Sequence, residues 1–328
     1  MAGDETRTHL RDLISRRCLQ RILGAIWLLD GLLQLQPSMF TSNLTNGIMQ
    51  PATQGQPSFV GATLQAGILF TGRYLVPVNA AIALVQLALG IFLLCGWFVR
   101  PALLLSVVWS LCVWYGGEGL GMLLTGRASV LTGAPGAVML YALLGLGAYP
   151  TGTARGGSLL SRQHLRWLLA GCWGLAAVLQ VQPVWWQPRQ IAQAIAGNES
   201  PGTLNGAILD PSLRRLAHLT SSGELPLNVA FVIIALGLAI GLAMVGADHI
   251  RPLLAGSIAL SLLLWCTTEG CGQLLTGTAT DVNSGPLLVL LALVCWPPTP
   301  AGVPAGQRRY WQDDVVHRPC LRRQEVTG

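Results

Sequence analysis

Apolar residues come in long blocks separated by Arg-rich or Gly/Pro-rich breaks. Eight blocks approach the roughly 20 residues that carry a helix across a hydrocarbon core of about 30 Å. They lie near 18–36, 76–98, 102–124, 131–149, 166–182, 225–247, 253–275 and 283–297. The pattern predicts an all-α polytopic membrane protein with eight transmembrane helices. Asp30 interrupts the first block and no small-x-small site follows it, so this block is expected to remain as a span rather than to be cleaved as a signal.

Shifted against itself by about 150 residues, the chain aligns with its own landmarks in order. "WLLDGLLQLQP" (27–37) meets "WGLAAVLQVQP" (173–183), and "VPVNAA" (76–81) meets "LPLNVA" (225–230). Arg100-Pro101 meets Arg251-Pro252, and Pro135 meets Pro286. The register predicts an internal duplication: a first four-span unit at 18–150, a second at 166–298, and a linker at 151–165. A segment at 1–17 and a polar tail at 299–328 complete the chain, the tail being expected to be poorly ordered. Four spans per unit is an even number, so the two four-helix repeats should run parallel. A long loop follows the first span of each, with apolar residues at helical spacing in "SFVGATLQAGILF" and "PSLRRLAHL" that predict short amphipathic helices.

Half of the side chains are hydrophobic (52%) and a tenth are charged (10%), which fits a membrane protein and not a soluble one. All the basic residues other than histidine are arginine, and the net charge of +6 raises the question of nucleic acid. Their placement answers it. With a cytoplasmic N-terminus, eight spans put most arginines, Arg16, Arg100, Arg162 and Arg251 among them, on the inside. The charge thus reads as topology and contact with anionic lipid, not as nucleic-acid binding. The expected location is a bacterial plasma membrane, with both termini cytoplasmic and the lipid bilayer as the first partner.

The stretches "WYGGEGLGMLLTGRAS" (114–129) and "WCTTEGCGQLLTGTAT" (265–280) each place a glutamate, Glu118 and Glu269, about 24 Å along the third span of a unit. An acid at that depth needs a partner. Candidate ligand-binding donors are Gln34, Asn79, Thr125 and Arg127 in the first unit, and Gln180, Asn228 and Thr276 in the second. Two readings stand side by side: Glu118 and Glu269 handle protons or hold a polar head group, or they end helices by satisfying freed backbone amides. Asp30, the deepest charge of the first unit, has Ala176 as its counterpart, an asymmetry that makes it a third candidate catalytic or coupling acid.

Cys266 and Cys271 bracket Glu269, but five residues apart on a regular helix they diverge by about 140°, so a bridge requires the helix to break. The five histidines show no metal or haem spacing, and no metal site is expected.

A first-span start such as "LQRILGAIWLLDGLLQL", a long outer loop and three closely linked spans resemble the DoxX and DoxD group of bacterial membrane proteins. Members of that group are linked to thiosulfate:quinone oxidation and to membrane oxidoreductase complexes. The resemblance implies a membrane subunit or redox partner near the quinone pool, with quinone as cofactor and a soluble redox protein as partner. The tandem repeat and the "EGxGxLLTG" motifs depart from a single four-span unit. Two alternatives compete with the redox reading: a transporter for a small extracytoplasmic solute, with its site at the interface of the repeats, and a structural scaffold without chemistry.

Overall fold

The computed structural model describes residues 10–11, 13–152, 158–246 and 249–300. Residues 14–296 form one unit. The terminal segments form another, in which β1 (Leu10–Arg11) and β2 (Thr299–Pro300) pair antiparallel. Residues 301–328, most of the expected tail, lie outside the described residues, as do residues 1–9 of the N-terminal segment and 153–157 of the linker.

The main unit is helical. Its first half contains α1 (Arg16–Leu33), α2 (Ser58–Arg73), α3 (Leu75–Cys95), α4 (Val99–Gly116) and α5 (Ala137–Ala148). Its second half contains α6 (Arg162–Gln180), α7 (Gln190–Ala196), α8 (Leu204–Thr220), α9 (Glu224–Met244), α10 (Ile250–Thr267) and α11 (Ser284–Val294). Both leading helices start on a serine cap: the Ser15 side chain accepts from Cys18 N–H, and that of Ser161 from His164 N–H. As expected from the helical spacing in the long loops, α2 and α8 occupy them.

Four helices, α3, α4, α9 and α10, are long and apolar enough to cross a bilayer, so the chain is an integral membrane protein. Outward-facing Leu84, Leu104, Leu105, Ile233 and Leu263 give these helices the lipid-facing surface that a span needs. The fourth and eighth blocks form helices of 12 and 11 residues, about 18 and 16 Å long, shorter than the core they were expected to cross.

The third and seventh blocks also depart from expectation. Their helices end at Gly116 and Thr267, so Glu118 and Glu269 lie beyond them and not within a span. The backbone causes this. Gly119, Leu120, Gly121 and Met122 all have φ between 56° and 61°, and Gly270, Cys271, Gly272 and Gln273 have φ between 52° and 67°. Four consecutive left-handed residues cannot continue a right-handed helix. The chain folds back and reaches the next helix through an irregular connection packed against protein, the setting in which such backbone is tolerated in a membrane protein.

Corresponding helices make corresponding contacts. Trp27 Nε1–H donates to Ser106 Oγ and Trp173 Nε1–H to Ser257 Oγ, each at 2.8 Å, tying α1 to α4 and α6 to α10. The helices α1 and α3 approach until their backbones nearly touch: a Cβ at Gly90 would sit 2.6 Å from the Leu28 nitrogen. One sequence match shifts. Trp114 Nε1–H donates to Pro135 O, but Trp265 Nε1–H donates to Val282 O, so Pro135 precedes α5 whereas Pro286 lies within α11. The connection in the first half is longer by four residues. The core runs between the two sets of helices through Trp27, Tyr141, Leu144, Trp173, Leu287 and Leu291.

Candidate functional site

Each glutamate turns toward the start of the short helix that follows it. Glu269, 3% exposed, accepts Gly285 N–H on Oε2 at 2.9 Å and the Ser284 hydroxyl on Oε1. Glu118 accepts Val138 N–H on Oε1 at 3.3 Å. A carboxylate there meets unpaired amides and the positive end of the helix dipole. This is the helix-end reading, applied to the next helix and not to the turn directly after the glutamate. The two differ in one respect: Glu118 Oε2 is buried without a partner among the described residues and lies against Gly136, whose left-handed φ of 106° and missing Cβ make room for it.

The expected donors fall in different places. Asn79 Nδ2–H donates to the Gln34 backbone carbonyl at 3.0 Å, and Gln180 Nε2–H donates to Asn228 Oδ1 at 2.7 Å. Both pairs tie the first long helix of a half to the second, and neither contacts a glutamate. Thr125 and Thr276 close local turns onto the carbonyls of Met122 and Gln273, and the Arg127 N–H donates to Thr125 Oγ1. Those three residues are not glutamate partners, because the fold-back turns them away from the helix line along which spacing had placed them. Gln34 does share a site with Glu118, through a cavity.

That cavity, of about 450 Å³, is lined by Trp27 and Asp30 of α1 and Gln34 just after it, Gln86 of α3, Trp109, Cys112 and Tyr115 of α4, and Thr63, Leu64 and Phe70 of α2. Glu118 and Val138 also line it, together with Thr280 and Asp281. The last two belong to the second half. The halves exchange these connections: Ser38 of the first half donates to Gly277 O of the second, while Ser129 of the first donates to Gln180 Oε1 of the second. Trp185 Nε1–H also crosses, to Ala128 O at 3.2 Å.

Asp30 is 1% exposed and accepts the Tyr141 hydroxyl on Oδ2 at 2.6 Å, while its Oδ1 has no partner among the described residues. Asp281 is held by Asn283 N–H on Oδ1 and by the Thr280 hydroxyl on Oδ2, close enough to Asp30 to act on it electrostatically. Burial raises the Asp281 carboxyl above its ordinary pKa, opposed by those two hydrogen bonds. Gln86 Oε1 and Trp109 Nε1 are buried without partners among the described residues.

The matching positions of the other half are apolar. Asp30 corresponds to Ala176 and Gln86 to Ala235. Tyr141 corresponds to Leu288 when the two short helices are aligned on their carboxylate caps. Asp281 follows Thr280 as Val130 follows Ser129. All four counterparts are buried. Sequence reasoning found the Asp30 asymmetry but missed Gln86, Tyr141 and Asp281. The signal available was the same comparison, extended to every polar residue inside an apolar block.

The fold-back also brings Cys266 and Cys271 together, and both are free thiols. Burial, then the neighbouring Cys266, pushes the Cys271 thiol up to about 11, which makes it a poor thiolate nucleophile. Among the described residues no three of His, Cys, Asp and Glu come together as a metal site. Comparison with protein-family models, curated proteins and solved structures finds no significant match, and the functional reading rests on the site itself.

Proposed function

We propose that this integral membrane protein binds a small solute for transport, in a single site that the first half forms with help from the second. The observation that carries the reading is the meeting of Asp30 and Asp281, one from each half, in one cavity, where Asp30, Gln86 and Asp281 each match an apolar residue in the other half. Sites at the interface of repeats, beside interrupted helices, are where transporters of repeated architecture bind their substrates. In this reading Asp30 is the coupling carboxylate, Glu118 and Gln34 line the solute site, and Glu269 holds the fold. The chain is a tandem duplication of a four-span unit, in which the second copy has alanine, Ala176, where the first has Asp30.

Eight spans with cytoplasmic termini in a bacterial plasma membrane complete the proposal, supported by the arginine asymmetry. Single cysteines introduced at 40–70 and 190–220 should label from outside, and those at 155–163 from inside only. Outside labelling of 155–163 would overturn the topology.

A redox role near the quinone pool, as the DoxX and DoxD resemblance implies, has the cavity's aromatic and aliphatic lining in its favour. Purification in mild detergent followed by identification of the bound small molecule separates the two. A polar or charged solute, present with wild type and reduced at least tenfold with Asp30→Asn, is the expected result. A bound quinone at one per chain would replace the transport reading with the redox one.

A further inference from the structure

We propose that the cavity receives a protonated amine with an apolar body, admitted from the lipid-facing side between α2 and α4, with its ammonium group held by Asp30, Glu118 and Gln86. The proposal rests on the solute-site reading above and names the chemistry of the solute. Three residues that line this one cavity each carry a buried oxygen without a partner among the described residues: Asp30 Oδ1, Glu118 Oε2 and Gln86 Oε1. Asp30 and Gln86 are 1% and 7% exposed, so these acceptors are built into the protein and are not a solvated acidic surface. Three acceptors ask for a ligand with several N–H donors, and an ammonium supplies three. Buried acceptors left unpaired are costly, which gives a donor-bearing ligand its advantage over a neutral one of the same shape.

The remaining wall is apolar and aromatic. Trp27, Trp109, Phe70 and Tyr115 present rings that accommodate an apolar body and attract a cation. A volume of about 450 Å³ suits a molecule larger than a hydrated metal ion and lies within the usual range of small-molecule pockets.

The cavity opens sideways. Thr63 and Phe70 of α2, and Cys112 and Tyr115 of α4, line it and are also exposed. Around them Phe59 and Leu69, with Val108 and Leu111, form the apolar outer surfaces of the same two helices. An amphiphilic amine dissolved in the bilayer would therefore meet the mouth directly. The Thr63 and Tyr115 hydroxyls hydrogen-bond to each other across it and form a latch.

The test uses the full-length protein in lipid nanodiscs. The probes are 4-phenylbutylamine, 4-phenylbutanol and the trimethylated ammonium of the same skeleton, each titrated calorimetrically and by tryptophan fluorescence. Wild type should bind the amine saturably at one per chain and at least tenfold more tightly than the other two. Asp30→Asn, which can still accept the Tyr141 hydroxyl, should weaken the amine at least tenfold while the melting profile is unchanged. Tyr115→Phe should accelerate association severalfold by releasing the latch. If alcohol and amine bind equally and both respond to Asp30→Asn, the ammonium assignment is wrong while the solute site stands. Absence of saturable binding by all three probes, or amine binding indifferent to Asp30→Asn, would overturn the amine proposal. In either case loss of the co-purified molecule from Asp30→Asn would still identify the cavity as the site.

Discussion

Glu269→Ala is expected to lower stability by about 1–3 kcal/mol, and Glu269→Gln to stay within about 1 kcal/mol of wild type. The alanine variant leaves the Gly285 N–H and the Ser284 hydroxyl unpaired at the buried start of α11. Glutamine keeps an acceptor for the amide, and the serine hydroxyl can rotate to accept from the new Nε2 group. Glu118 should behave differently. Its bond to Val138 N–H is longer, at 3.3 Å, and its other oxygen, without a partner among the described residues, lies against Gly136. Glu118→Ala is therefore expected to cost about 1 kcal/mol or less, below its counterpart in the second half. Denaturant unfolding in detergent, followed by tryptophan fluorescence, measures both. Equal losses at the two positions would mean that both glutamates serve only as helix caps.

The two glutamates look identical in sequence, and the reason they separate shows where sequence reasoning stops. Hydropathy periodicity located the helices, the long connections and the amphipathic pieces within them, because those depend on the order of apolar and polar residues along one segment. It extended the third and seventh helices too far. Leu120, Met122 and Cys271 are ordinary residues for an apolar run, and nothing in their identity announces a left-handed backbone. Once the helix breaks, Thr125, Arg127 and Thr276 no longer follow the helix line, and each closes a turn of its own.

Asp30 stood out because it is charged in an apolar block and its counterpart is alanine. Tyr141 did not, since a tyrosine in an apolar helix reads as core until its hydroxyl is seen on Asp30. Asp281 could not have been placed at all. It lies in a connection of the second half, and only the exchange of connections between halves brings it beside an acid of the first. The periodicity of one segment carries no information on which segment of another half will cover it.

Converting the first site to the residues of the second should separate stability from function most clearly. The variant carries Asp30→Ala, Gln86→Ala, Tyr141→Leu and Asp281→Val, each the residue already buried at the matching position of the other half. It removes a buried carboxyl together with its hydroxyl partner, so no donor of that pair is left behind. It also removes the buried Gln86 oxygen that had no partner. Each unpaired or poorly solvated group of this kind costs a folded protein about 1–3 kcal/mol, a cost the apolar residues do not carry. The smaller side chains leave space behind, at roughly 24 cal/mol per Å³ of residual cavity, and Asp281→Val takes the acceptor from the Asn283 N–H and the Thr280 hydroxyl; both oppose the gain. The balance should leave the fourfold variant close to wild type in stability, with an unchanged helical spectrum, while ligand binding is abolished. The single variant Asp30→Ala should be worse than the fourfold one, because it leaves the Tyr141 hydroxyl unpaired beside an aliphatic wall. Thermal unfolding of the two variants in the same detergent gives the order directly. A fourfold variant that loses several kcal/mol, or fails to fold where Asp30→Ala folds, would show that the four polar groups hold the first half together and would remove the argument for a site there.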